Sequence, residues 1–81
     1  MSFNYSVLLG RITEVYGTQY NFAIAIGMSE RSLSLKLNNK VPWKSPEIAK
    51  AIELLNFEEK DIGRVFFNQE VQTIELKKEE A

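Results

Sequence analysis

Apolar positions recur every three or four residues along most of this chain, and the runs break at glycine, asparagine and proline. In "YSVLLGRITEVYG", Leu8, Ile12 and Val15 are spaced i, i+4, i+7, the stripe of an amphipathic helix. Asn4 or Ser6 can cap its start, and Gly17 suits a left-handed position after its end. Gly10 costs that helix about 1 kcal/mol against alanine, which points to a close backbone approach there. Thr18 is a ready cap for a second helix, Gln19 to Ile26, with Phe22 and Ile26 inward, and Gly27 stops it. Ser29 caps a third helix, with Ser32 where a capping box would carry an acid, and Leu33 and Leu37 as core positions one turn apart. "NNK" and Val41-Pro42 end it, because asparagine tolerates left-handed geometry and proline cannot continue a helix. Ser45 as N-cap, Pro46 at the first helical position and Glu47 on the positive dipole end open a fourth helix striped by Ile48, Ile52 and Leu55. "NFEEKDIGRVFF" predicts a short fifth helix with Ile62 and Phe66 inward. Val71, Ile74 and Leu76 fit neither period, so the end of the chain is either a short strand or a frayed extension.

Five short helices with connections of a few residues predict an all-α, compact five-helix domain over residues 1–67, followed by a tail over 68–81. At 81 residues the core is small. About ten large apolar side chains, at roughly 1.5–3 kcal/mol each, only just offset the chain entropy, so a subunit contact is expected to help. The chain has neither cysteine nor histidine. Disulfides, Cys/His zinc sites, Cys–His nucleophile pairs and histidine acid–base chemistry are thereby excluded. With scattered carboxylates and no glycine-rich phosphate loop, the expectation is a protein that is not an enzyme and takes no cofactor or small-molecule substrate. No apolar run approaches the roughly 18 residues of a membrane span, and "MSFNYS" lacks a basic start, so a cytoplasmic protein is expected.

The net charge of −1 conceals an uneven distribution. From Arg31 to Lys44 there are four cations (Arg31, Lys36, Lys40, Lys44) and no acid. From Asn68 onward, Lys77 and Lys78 face four glutamates. Local charge is what a phosphate backbone feels, although such a cluster is equally an ordinary solvated face.

Two helices meeting across a three-residue turn need a glycine for the reversal and a small residue where the backbones approach. Gly27 and Ala23 fill those places, with Phe22, Ile26, Met28 and Leu33 to lock the angle, a spacing that an ordinary helical hairpin also shows. On these residues, "TQYNFAIAIGMSERSLSLKLNNK" and "SPEIAKAIELLNFEEKDI" resemble the phage repressor and Cro-like (lambda-repressor-like, Xre-type) helix-turn-helix family over about residues 5–67. The resemblance extends to the small Cro-like regulators of phages of Gram-positive bacteria. One departure is Lys36, which stands at a position usually apolar in that family.

The resemblance implies a phage or prophage repressor that binds double-stranded operator DNA as a homodimer and excludes polymerase from a promoter. Glu30, Arg31, Ser34 and Leu35 would reach base edges in the major groove, Arg31 pairing with guanine and Leu35 meeting a thymine methyl. Gln19, Lys36, Asn38, Asn39, Lys40 and Lys44 would touch phosphates. Phe67, Val71, Ile74 and Leu76 would form the dimer contact, with Val65 and Phe66 completing the monomer core. Several have a plainer alternative: Gln19, Ser34 and Lys36 as solvated polar groups, Glu30 as a favourable charge at a helix start, Leu35 as a contact with a neighbouring subunit, Asn39 as a helix stop, and Trp43 as a lid over the core rather than a base-stacking residue. A second reading keeps the fold but makes the chain a modulator that acts mainly by binding a repressor protein. The low net charge, the acidic tail and Glu30 at a base-facing position motivate it.

Overall fold

Helix boundaries in this chain are set by side-chain caps and by residues with positive φ. The computed structural model describes residues 2–69. Its elements are α1 (Ser6–Tyr16), α2 (Gln19–Ile26), α3 (Glu30–Leu37), α4 (Ser45–Leu54), a 3₁₀ turn (Glu59–Asp61) and α5 (Ile62–Phe66). The protein is an all-helical domain of five α-helices, as the periodicity predicts, and the described residues form no strand beyond one antiparallel bridge, Phe3 to Gln69. Val71, Ile74 and Leu76, and with them the expected strand or frayed extension, lie outside the described residues.

Neither Asn4 nor Ser6 is the N-cap of α1: Tyr5 holds that position without a side-chain cap, and Asn4 Oδ1 accepts the Ser6 N–H at 2.9 Å just ahead of it. Thr18 Oγ1 accepts from Asn21 N–H at 3.1 Å at the start of α2, and Ser29 Oγ from Ser32 N–H at 3.0 Å at the start of α3. The Ser45 expectation needs correcting. Ser45 and Pro46 are already helical, and the cap is made from Glu47, whose Oε1 accepts the Lys44 N–H at 2.9 Å. Three helices end in one way. Gly27 (φ 83°), Asn39 (φ 63°) and Asn56 (φ 58°) are left-handed. After each, the next N–H bonds back five residues: Met28 to Ala23, Lys40 to Leu35, Phe57 to Ile52. This is the Schellman arrangement, which satisfies helix carbonyls that would otherwise lack donors.

The core gathers Leu8 and Ile12 of α1, Phe22, Ala23 and Ile26 of α2, Leu33 and Leu37 of α3, Ile48 and Ile52 of α4, and Val65 and Phe66 of α5, with Leu55 beside them. α2 packs on α1, α3 and α4, while α5 closes against α1 and α4. Ala23 is buried one turn before Gly27, as close helix approach demands. Phe57 and Tyr5, outside the expected stripes, are also buried. Arg11 pins α1 to the end of α4: its Nη1 donates to the Leu55 carbonyl at 2.6 Å and its guanidinium lies 4.3 Å from the Phe57 ring centre. A cation at a helix C-terminus is favoured by the dipole as well as by the hydrogen bond.

Val15 corrects the reading of α1. It is 45% exposed, and the last inward turn belongs to Tyr16, whose ring packs 5.3 Å from Phe22. The inward stripe therefore runs Leu8, Ile12, Tyr16 at strict four-residue spacing, with Tyr16 half-buried. Gly10 is also not what its cost suggested. It is exposed, and a Cβ added there meets nothing within 4 Å. Gly10→Ala is therefore expected to stabilise the fold by about 0.5–1 kcal/mol, through a less flexible unfolded chain and better helix propensity. Urea unfolding measures this, and a loss of stability would show that Gly10 has a backbone role.

Candidate interaction surfaces

Three buried residues of α3, Leu33, Lys36 and Leu37, face the core, so the opposite side carries Arg31, Ser34, Leu35 and Asn38. Glu30 and Arg31 are exposed at the helix start, while Ser34 and Leu35 are half-buried. Gln19, Lys40 and Lys44 are also exposed. Asn38 is exposed but occupied locally, its Nδ2 donating to the Ser34 carbonyl at 2.8 Å. The structure thus brings Glu30, Arg31, Ser34 and Leu35 onto one end of the molecule.

Two residues of the expected phosphate set are withdrawn from it. Lys36 is only 5% exposed. Its Nζ forms an ion pair with Glu47 Oε1 at 3.0 Å and donates to the Pro42 carbonyl at 3.2 Å. The lysine stem fills the apolar position of the stripe, and its ammonium ties α3 to α4 and to the loop between them. Burial pushes the Glu47 carboxyl up, but the Lys44 N–H and the hydrogen bond and charge of Lys36, with the charge of Lys44, outweigh it and hold Glu47 below its usual range. Asn39 is the second. Its Oδ1 accepts the Phe3 N–H at 2.9 Å and its Nδ2 donates to the Phe3 carbonyl at 3.0 Å, so the side chain pairs with an extended backbone segment. The basic cluster consequently offers Arg31, Lys40 and Lys44, beside Glu30.

A second surface was not foreseen from the sequence. A groove of about 220 Å³ lies between the N-terminal segment, the α3–α4 loop and the end of α5, lined chiefly by Phe3, Tyr5, Val41, Trp43, Phe66 and Phe67. Trp43 packs edge-on against Phe66 at 5.1 Å, and Phe67 against Phe3 at 5.7 Å. Burial raises the Tyr5 phenol above its ordinary value. The groove falls short of the roughly 300–1,000 Å³ usual for small-molecule sites, which favours a few side chains as its occupant. Phe67, expected at a dimer contact, is 52% exposed at its edge. On α2, Tyr20 and Ile24 stand one turn apart in solvent, Ile24 at 63% exposure. Among the described residues no cluster of acids could hold a metal, and no helix is long and apolar enough to cross a membrane.

A family profile described as "Protein of unknown function (DUF739)" matches residues 1–69. The chain belongs to the DUF739 family. This corrects the assignment to the Cro-like, Xre-type repressors, because the DUF739 match spans the whole stretch from which that resemblance was drawn and no Cro-like or Xre-type family matches. No functionally curated protein matches this DUF739 chain. Among solved structures, it is similar to the solution structure of the modulator of repression (MOR) of the temperate bacteriophage TP901-1 from Lactococcus lactis. Identity is 60% and the TM-score 0.75, over 89% of this chain and 97% of that one.

Proposed function

We propose that this protein is a phage-type modulator of repression that acts by binding a repressor protein. The likeness to the TP901-1 modulator, at 60% identity over nearly the whole of both chains, carries the reading. It replaces the expectation of a Cro-like repressor that occupies an operator itself. The geometry of α3 supports the change: Lys36 is spent on Glu47, Asn39 on Phe3, and Glu30 would stand against phosphates. With a weakly acidic whole, this leaves little of the counterion release from which DNA affinity comes. Exposed apolar residues suit a protein partner better, and Tyr20, Ile24 and Phe67 provide them. The protein works in the cytoplasm by association, without catalysis, and a homodimer is not required for that role.

The test is titration of the purified chain with a phage repressor protein. Calorimetry is expected to give a complex with a Kd of about 1 µM or tighter. The chain alone should not shift operator fragments at about 50 mM salt, where electrostatic binding is strongest. A palindrome-specific shift by this chain alone, with no heat on mixing with the repressor, would overturn the reading.

A further inference from the structure

The aromatic groove carries positive charge on one side and no negative charge of its own. Lys40 lines it, Lys44 follows Trp43 in the chain, and none of the lining residues is acidic. Both lysines are exposed, and neither has an acid within ion-pair distance among the described residues. The Glu47 carboxylate feels the charge of Lys44, but its ion pair is with Lys36. Beside these cations the rim is apolar, with Phe67 52% and Val41 36% exposed.

Hydrogen bonding asks for an acceptor at the same place. The Trp43 indole Nε1 is buried with no acceptor among the described residues. Such a donor is costly, so an occupant that brings a carbonyl or carboxylate oxygen is favoured. Asn39 also lines the groove but cannot serve, because both ends of its amide are engaged by Phe3. The α3–α4 loop that carries Lys40, Val41 and Trp43 is fixed by the Lys36 ammonium on the Pro42 carbonyl. A wall held in this way is already formed before anything binds, which lowers the cost of binding.

We propose that the groove formed by Phe3, Tyr5, Trp43, Phe66 and Phe67 receives a large apolar side chain of a partner protein, from a segment whose neighbouring carboxylates face Lys40 and Lys44. This names a surface for the protein-binding role proposed above and rests on that reading. Burial of the apolar side chain supplies the affinity, while the two lysines set the direction of the segment and reject a basic one.

The probe is the capped tetrapeptide Glu-Phe-Leu-Glu, with Lys-Phe-Leu-Lys as its charge-reversed control. Each is titrated into the full chain at about 50 mM salt, where screening is weak. Trp43 is the single tryptophan, so its indole N–H resonance reports the groove alone. The acidic peptide should shift that resonance saturably and bind about fivefold more tightly than the basic one. Lys40→Glu should bring the two peptides to within about twofold of each other. Phe67→Ser should weaken the calorimetric complex with the repressor about tenfold. No shift with about 10 mM acidic peptide, or equal binding of both peptides to the parent, would overturn the proposal. Nuclear Overhauser contacts in the peptide-free protein from the Trp43 indole to Val71, Ile74 or Leu76 methyls would do the same. So would contacts that grow with protein concentration, because a second copy would then be the occupant. If the peptides fail or Phe67→Ser has no effect while the repressor complex persists, the groove assignment falls and the protein-binding reading stands.

Discussion

Phe66→Ala is expected to cost about 3–5 kcal/mol, the range for removing a buried aromatic ring. Phe66 is essentially inaccessible, and it is where α5 meets Trp43 and the rest of the core. Only five residues long, α5 cannot persist as a helix by itself, because nucleation outweighs so few hydrogen bonds. Loss of the ring therefore removes the anchor of the whole element. A domain of this size is stable by roughly 4–12 kcal/mol, so the variant should be close to half-unfolded or worse if the true figure is near the lower bound. Urea titration followed at once by helical circular dichroism and by Trp43 emission measures it. A loss under about 1 kcal/mol would mean that the site collapses around the gap or that α5 is peripheral to the core.

The second large effect is at Lys36. Lys36→Met keeps the apolar stem in its slot but strands the Glu47 carboxylate and the Pro42 carbonyl. Breaking a buried pair from one side costs about 3–5 kcal/mol when both charges are sealed. Here the Glu47 side chain keeps a quarter of its surface in water, so about 2–3 kcal/mol is expected. Adding Glu47→Gln removes the stranded charge while leaving an oxygen for the Lys44 N–H. The double variant should return to within about 1 kcal/mol of the parent. The pH dependence follows from the lowered Glu47 pKa. A depressed carboxylate contributes stability in full above its unfolded value of 4.5, and that contribution disappears as pH falls through the lower folded value. The parent should thus lose more stability between about pH 6 and pH 3 than Lys36→Met does. Equal acid sensitivity of the two proteins would refute the pairing as the source.

Much of the helical frame was legible in the residues because short-range rules govern it. Thr18, Ser29, Gly27 and Asn39 act on backbone groups three to five positions away, and the apolar stripes of α2 and α3 repeat within a helix. Most of the misreadings are contacts between elements, with Ser45 and Gly10 the local exceptions. Lys36 looks like a solvated cation until α4 sets Glu47 beside it, and Asn39 looks like a helix stop alone until Phe3 arrives across it. Val15 reads as inward in the sequence because a three-residue and a four-residue step both continue a helical stripe. Only the position of Phe22 decides that Tyr16 takes the place. The groove was invisible for the same reason, since its walls come from both ends of the domain and from the α3–α4 loop. Function was least legible of all. A helix, a glycine and a second helix describe a scaffold, and the scaffold is indifferent to whether its outer face meets a duplex or a protein.

Asn39 also couples parts of the molecule that are distant in sequence. The same side chain that accompanies a left-handed reversal after α3 grips the main chain of Phe3, 36 positions earlier. Glycine would adopt that reversal with less strain but could not hold the N-terminal segment, so asparagine serves where neither requirement alone would select it. Fraying at the end of α3 and release of the first residues should accordingly be one event with one free energy, and amide exchange at the amino terminus becomes a gauge of a helix end in the middle of the protein.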